Sequence, residues 1–387
     1  MVIGIPKEIM EGERRVSATP ETVAKYKADG FDVLVEKDAG AGALFADREY
    51  ENAGAVIAYD VKELYKKADL ILKVKEPQFN KAENLHELDM MHEGQYIVTF
   101  IHPASPANHE MVRKMAEKGV IGLTLDGIPR ISRAQNMDAL TSMSTCAGYK
   151  GILLAANDIS KFVPQMFSAA GMFKPCNALI IGAGVAGLQA IATAKRLGAV
   201  VYAADIRPDA VEQAKSLGAK IVDTGVPAEV AVGRGGYANA LSENWIAAER
   251  DALRGTIAQM DIVFCSALVP SKLAPVIITE DMVKAMRSGS VIVDISIDQG
   301  GNCEITVPGK TAVLHNVIIE GIKNIPGMLP ESSTRMIASN IYNLVRYLSQ
   351  NASIKLDMSD EIVSGILTTF DGSVVHKGAL EAMGVPA

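Results

Sequence analysis

The sequence predicts an α/β protein of two doubly wound domains. Short apolar strands alternate with helical patterns over the first 130 residues, which marks a parallel sheet covered by helices on both faces. The chain has 387 residues, too many for one hydrophobic core and suited to two. A second run of strands and helices starts near residue 177, after a long helical stretch that carries the chain out of the first domain.

The elements follow in order. "VIGIPKE" is a strand. "TPETVAKYKADG" is a helix, with Thr19 as N-cap and Pro20 in its first turn. "FDVLVEKDAG", "ADLILKVKEP", "QYIVTFIHPA" and "GVIGLTLDGIP" are further strands. "RISRAQNMDALTSMSTCAGYKGILLAANDISKF" is long and helical. "CNALIIGAGVAGLQAIATAKRLGAVVYAAD" is a strand, turn, helix and strand, and "MDIVFCSALVP" and "GSVIVDISID" supply later strands. The stretch "GVPAEVAVGRGGYANALS" breaks periodicity and predicts a mobile surface loop. Beyond residue 330 the helix "SSTRMIASNIYNLVRYLSQ" is expected to return to the first domain. The expected domains are therefore 1–140 plus 330–387, and 141–329.

Bulk composition excludes several classes. Net charge is −7 with 21% charged residues and no basic run, which argues against a nucleic-acid partner. The four cysteines are far apart and form no metal-type spacing, so reduced thiols in a cytoplasmic protein and no metal are expected. The start lacks a secretory signal pattern. No segment reaches the ~18 apolar residues of a membrane helix, so direct membrane insertion is not expected.

Gly182, Gly184 and Gly187 spell GxGxxG in "LIIGAGVAGLQA". That pattern alone is weak, but here a strand precedes it, a helix follows, and a second strand ends in Asp205, the arrangement of a Rossmann-type dinucleotide site. Gly182 allows the tight turn, Gly184 lets backbone approach a pyrophosphate, and Gly187 lets helix and strand pack closely. Val185 and Ala186 open the helix whose N-terminus faces the phosphates. An acid at Asp205 suits the ribose 2′-hydroxyl of NAD(H), while Arg207 softens the bias against NADP. Ala267 and Leu268, after the "DIVFC" strand, are further cofactor-contact candidates.

With these motifs the chain resembles the superfamily that holds alanine dehydrogenase and the NAD(H)-binding alpha subunit of proton-translocating transhydrogenase. "PRISRAQNMDALTSMS" is similar to the transhydrogenase loop that holds the nicotinamide end. The resemblance assigns Arg130, Gln135, Asp138 and Thr141 to its polar positions. "GGYA" and "GGNCEITVPGK" also look like transhydrogenase, and Tyr237 falls at a tyrosine of a mobile loop that closes over nucleotide.

A second component of the resemblance points to alanine dehydrogenase. Arg15 in "ERRVSATP", Lys75 in "LKVKEP", His102 in "FIHPA" and Asp298 in "SIDQGG" fall at that enzyme's substrate and catalytic positions. In the transhydrogenase pattern the positions of Lys75, His102 and Asp298 usually hold other residues. The chemistry of the set is coherent. Arg15 can bind a carboxylate, Lys75 can polarise the reacting carbon's substituent, His102 can donate a proton near neutral pH, and Asp298 can hold ammonia or orient water. Each also has a structural reading. Arg15 and Lys75 can be surface charges beside Arg14 and Lys73, His102 a turn residue, and Asp298 the cap of the Gly300–Gly301 turn.

The resemblance implies an NAD(H)-binding transhydrogenase subunit, passing hydride between NADH and NADP in concert with partners. The end of the chain at residue 387 fits a split subunit, cytoplasmic or peripheral to the inner membrane through membrane and NADP-binding subunits. The alternative is a stand-alone amino-acid dehydrogenase acting through Arg15, Lys75, His102 and Asp298. Either implies a homodimer or higher homo-oligomer and a site between two domains.

Overall fold

A computed structural model describes residues 1–233, 238–269 and 273–385. The chain divides into two compact units: Met1–Met143 with Gly327–Ala387, and Ser144–Pro326.

The first unit is built on an eight-stranded sheet. Its parallel strands are β1 (Val2–Ile5), β2 (Asp32–Glu36), β3 (Val56–Ala58), β4 (Leu70–Leu72), β5 (Tyr96–Thr99) and β6 (Ile121–Thr124). They lie side by side as β6-β5-β4-β1-β2-β3. Two strands from the end of the chain, Leu367–Phe370 and Ser373–Val374, add antiparallel on the β6 side. Ile3, Ile5, Leu70, Ile71, Leu72, Ile97 and Val98 are buried. Unbroken apolar runs of this kind belong to strands covered on both faces. The first helix, α1 (Pro20–Ala28), starts where Thr19 caps it: the Thr19 hydroxyl accepts from the Thr22 N–H at 3.2 Å.

The second unit carries a seven-stranded sheet, made of β7 (Asn177–Ile181), β8 (Val200–Ala204), β9 (Lys220–Ile221), β10 (Ile262–Cys265), β11 (Val291–Asp294), β12 (Thr311–Leu314) and β13 (Val317–Glu320). The order is β9-β8-β7-β10-β11-β13-β12, and only β12 runs antiparallel. In both units the parallel strands follow the doubly wound order in which the first strand lies at the point of reversal. That point is the gap between β1 and β4 in the first unit, and between β7 and β10 in the second. Ligands bind in such sheets outside the carboxyl ends of the strands at that gap.

Three local expectations differ from the structure. The helical stretch expected from Arg130 starts later: Ser132–Met137 is a 3-10 turn, and α2 runs Ala139–Asp158. The stretch expected to be loop contains a helical turn, Ala228–Ala231, followed by a bridge between Val232 and Ala238. The strand expected to run to Ile297 stops at Asp294, and Ile297–Gln299 forms a 3-10 turn.

Candidate functional site

The reversal point of the second unit holds the glycine motif. Gly182 has φ +87°, and a Cβ there would lie 2.8 Å from backbone atoms of Ser266 and Ala267. Only glycine combines that backbone with that closeness. A Cβ on Gly187 would lie 1.9 Å from the Gly182 carbonyl oxygen, so α3 (Val185–Arg196) presses directly on the turn. Gly184 differs: its Cβ would meet only an Arg207 nitrogen, at 4.0 Å. Open space therefore faces Gly184, and α3 begins there without a side-chain cap. Its first N–H groups are donors for an anion. On the other side of the gap, Ser266 donates to the Gly182 carbonyl at 2.8 Å, and the Ala267 N–H is held by Asn302 at 2.9 Å. Leu268 follows, exposed.

Asp205 directly follows β8 with its side chain nearly buried. Its Oδ1 accepts from the N–H of Arg207 (2.8 Å) and from Nε of Arg207 (3.0 Å). Its Oδ2 accepts from the Ala183 N–H (2.7 Å) and a terminal nitrogen of Arg207 (2.9 Å). A carboxylate offers about four acceptor positions, and this one has all four filled. A ribose hydroxyl reaches Asp205 only if the Arg207 side chain gives way.

The reversal point of the first unit gathers a second set. Arg15 is buried, and Glu13 takes its Nε at 2.8 Å and a terminal nitrogen at 2.6 Å. Burial raises the Glu13 pKa, but hydrogen bonds and charge from Arg15 outweigh it and bring it down to about 2. Another terminal nitrogen of Arg15 touches the Met143 sulfur. The expected surface charge is thus a buried ion pair.

Lys75 follows β4, half-buried. Its charge acts on both Glu13 and His102. Its neighbour Lys73, expected beside it in solvent, is instead fully buried between Glu87 (2.7 Å) and Glu8 (3.5 Å). Glu8 also accepts the Val74 N–H at 2.6 Å, and Glu87 accepts the Gln78 N–H at 2.8 Å. Two buried carboxylates joined by one lysine therefore clamp the segment that presents Lys75. Burial pushes the Glu8 carboxyl up to about 7, against the pull of Lys73.

His102 follows β5 at φ +49°, a backbone region rare outside glycine and often found where a side chain is held for use. Asp126, just beyond β6, holds it twice: Oδ2 accepts the His102 N–H at 2.8 Å and Oδ1 meets Nδ1 at 2.7 Å. The ring stacks on Phe100. Partial burial opposes the imidazolium, but the Asp126 carboxylate more than compensates, so the His102 pKa lies above its ordinary value. Asp126→Asn is expected to lower that pKa, because the largest charge opposing burial is then gone and the weaker pull of Glu76 remains. Proton NMR titration of the imidazoles, with His102→Gln for assignment, reads this. An unchanged titration would remove Asp126 from the pair.

The stretch that resembles the transhydrogenase nicotinamide loop lies in the first unit. Asp138 caps α2: its Oδ1 accepts the Thr141 N–H at 2.8 Å and its Oδ2 the Thr141 hydroxyl at 2.6 Å. Arg130 and Gln135 are exposed. Tyr237 lies outside the described residues.

Asp298 does not stand at a strand end. It is exposed, in the 3-10 turn beyond β11, with Lys323 at 3.7 Å. The acid that ends the strand is Asp294, buried and accepting from Ser296, Asn302, Cys303 and Thr306. Asp294 thus ties the "DQGGN" turn together, which leaves Asp298 at its surface. Sequence reading misses Glu13, Asp126 and Asn302. Asp126 carries the signal that marks Asp205, an acid just past an apolar strand. Glu13 and Asn302 carry none, since their partners are set by the fold. Among the described residues no group of acids, histidines and cysteines is placed to hold a metal.

Known proteins resemble the chain along its whole length. The families described as "Alanine dehydrogenase/PNT, N-terminal domain" and "Alanine dehydrogenase/PNT, C-terminal domain" match residues 4–147 and 151–377. The chain is 38% identical to the "NAD(P) transhydrogenase subunit alpha" of Cereibacter sphaeroides, over 97% of this chain and 71% of that one. It is 31% identical to the alanine dehydrogenase of Staphylococcus haemolyticus, over 100% and 97%. The solved transhydrogenase structure from Sinorhizobium meliloti superposes with a TM-score of 0.84 at 36% identity, over 97% of this chain and 100% of that one.

Proposed function

Because the chain belongs to the alanine dehydrogenase/PNT family, we propose that it is an NAD(H)-binding oxidoreductase of the transhydrogenase alpha type, with 1–140 plus 330–387 and 141–329 as its functional domains. The observation that carries this is the glycine turn. Open space at Gly184 and uncapped N–H groups at α3 fit a pyrophosphate. Gly182, Gly184, Val185, Ala186 and Gly187 would hold the phosphates, Asp205 and Arg207 the adenosine ribose, and Ala267 and Leu268 the far side of the gap. Arg130, Gln135, Asp138, Thr141 and Tyr237 would hold the nicotinamide end. Bound NAD(H) supplies the hydride chemistry, and the protein's role is to orient it and exclude water. The Glu13–Arg15 pair favours this reading over small-acid chemistry, because the guanidinium already carries a carboxylate.

Partner subunits would carry NADP and span the membrane. No helix of the described residues is long and apolar enough to cross one. A second copy of the chain fits the hairpin of Met166–Ser168 and Gly171–Phe173. That hairpin exposes Met166, Phe167, Met172 and Phe173 and has no charged residue, so it can pair with its own copy about a two-fold axis. Sedimentation should give at least twice the 41.1 kDa chain mass, and Phe167→Asp should return the monomer.

One observation favours a second reading. His102, held by Asp126 beside Lys75, is a proton donor with an orienting acid, as an amino-acid dehydrogenase acting through Arg15, Lys75, His102 and Asp298 requires. Calorimetric titration with NADH tests what both readings share. Saturable binding near one site per chain is expected, and no binding would overturn both.

A further inference from the structure

The nucleotide-binding unit contains a buried acid with no role in the reading above. Glu249 lies on α4 (Glu243–Ile257) and is 4% exposed. It shares the helix's inward face with Leu253 and Ile257, which pack in one apolar cluster with Ala204, the residue before Asp205. α4 leads into the parallel strand β10, so it runs against the strands. Its N-terminal half therefore lies level with their carboxyl ends, where Asp205 stands.

Two cations lie nearby, and both are engaged elsewhere. Arg207 is taken by Asp205. Arg250 gives Nε and a terminal nitrogen to the Val276 carbonyl, at 2.9 and 2.7 Å, and another nitrogen to Glu243 at 2.7 Å. Glu249 takes neither of these cations as an ion-pair partner. Asp205, with all four acceptor positions filled, is closely compensated, whereas Glu249 makes no ion pair and feels the Arg250 charge only in part.

We propose that Glu249 is a specificity-determining residue of the dinucleotide site, a buried acid beside Asp205 without an ion-pair partner that disfavours ligands with a phosphate on the ribose 2′-oxygen. This rests on the NAD(H) reading of the same unit. Asp205 neutralised by Arg207 discriminates weakly on its own, since the guanidinium offers an anion a partner. Glu249 adds the negative charge that Arg207 does not offset. A buried charge is poorly screened, so it acts on an incoming phosphate at longer range than a surface acid would.

The discrimination depends on pH. Burial, and then the Asp205 charge, push the Glu249 carboxyl up to about 7, while Arg250 only partly opposes them. At pH 8 Glu249 is mostly ionised and repels a 2′-phosphate. At pH 6 it is mostly neutral, and the repulsion fades.

The test is calorimetric titration of the full chain and of Glu249→Gln with NADH and NADPH, at pH 6 and pH 8. Glutamine keeps size and polarity and removes the charge. The 2′-phosphate titrates near pH ~6 itself, but equally in both proteins, so the comparison between proteins isolates Glu249. In the wild-type chain, preference for NADH over NADPH should rise roughly threefold or more from pH 6 to pH 8, the scale of one partly screened charge. Glu249→Gln should bind NADPH more tightly at pH 8 and lose the excess pH dependence, with NADH affinity nearly unchanged. Equal preference in both proteins at both pH values would overturn the proposal while leaving the NAD(H) reading standing. No NADH binding by the wild-type chain would overturn both.

Discussion

Gly187→Ala should destabilise the second unit and abolish NADH binding, whereas Gly184→Ala should weaken binding about tenfold or more and leave stability nearly unchanged. The contrast comes from what each new methyl group meets. At Gly187 it lies 1.9 Å from a carbonyl oxygen of the turn and 2.9 Å from that carbonyl's carbon. Both are backbone atoms, which cannot rotate aside, so α3 must move off the sheet. Overpacking of this kind costs about 1–3 kcal/mol, and the phosphate turn is distorted with it. At Gly184 the methyl enters open space and φ is −76°, which alanine accepts. The methyl then stands where a pyrophosphate must approach backbone N–H groups, and affinity should fall about tenfold or more, the value of a lost charge-assisted contact. Trp245, the chain's one tryptophan, sits on α4 in the second unit, so its fluorescence in urea reports that unit's stability. Equal stability loss in both variants would show that Gly184 is packed and not a ligand contact.

Lys73→Met should cost the first unit about 3–5 kcal/mol at pH 8, as expected when one partner of a buried ion cluster is removed. The lysine bridges Glu8 and Glu87 while fully buried, and without it two carboxylates share a dry site. The loss should shrink toward pH 6. Burial already holds Glu8 near 7 with the lysine present, so without it the carboxyl rises further, takes up a proton, and ceases to be an unpaired charge. Proton uptake by the folded variant offsets its loss as pH falls, which fixes the sign. Hydrogen exchange of the Leu70–Leu72 and Tyr96–Thr99 amides measures it, because these neighbouring strands flank the cluster. Unchanged protection at pH 8 would mean that the cluster does not hold the Lys75 segment in place.

Features legible in the sequence are those set within a few residues. Thr19 and Pro20 announce α1. The glycine motif is readable because its strand, turn and helix are contiguous. What escapes depends on distant partners or strand ends. Lys73 and Lys75 look alike, as alternate residues of one strand would. The strand stops at Leu72, so alternation no longer applies, and Lys73 turns toward Glu87 and Glu8, far away in sequence. Asp298 reads as the strand-end acid because "VIVDISI" looks like one apolar run, but Asp294 interrupts it by collecting four hydrogen bonds. Arg15 reads as free to bind substrate, and only folding shows Glu13 curled back onto it. Asp205 is readable as an acid after a strand, yet its saturation by Arg207 and Ala183 is a matter of geometry alone.

The most direct test of the proposed function is NADH oxidation by the purified chain alone, with ammonium and a panel of 2-oxo acids beginning at pyruvate. The expected result is saturable NADH binding with oxidation far below ordinary enzyme rates of ~1 per second, since the hydride acceptor would lie on a partner subunit. Turnover at or above that rate with any member of the panel would contradict it and make the chain an amino-acid dehydrogenase in its own right.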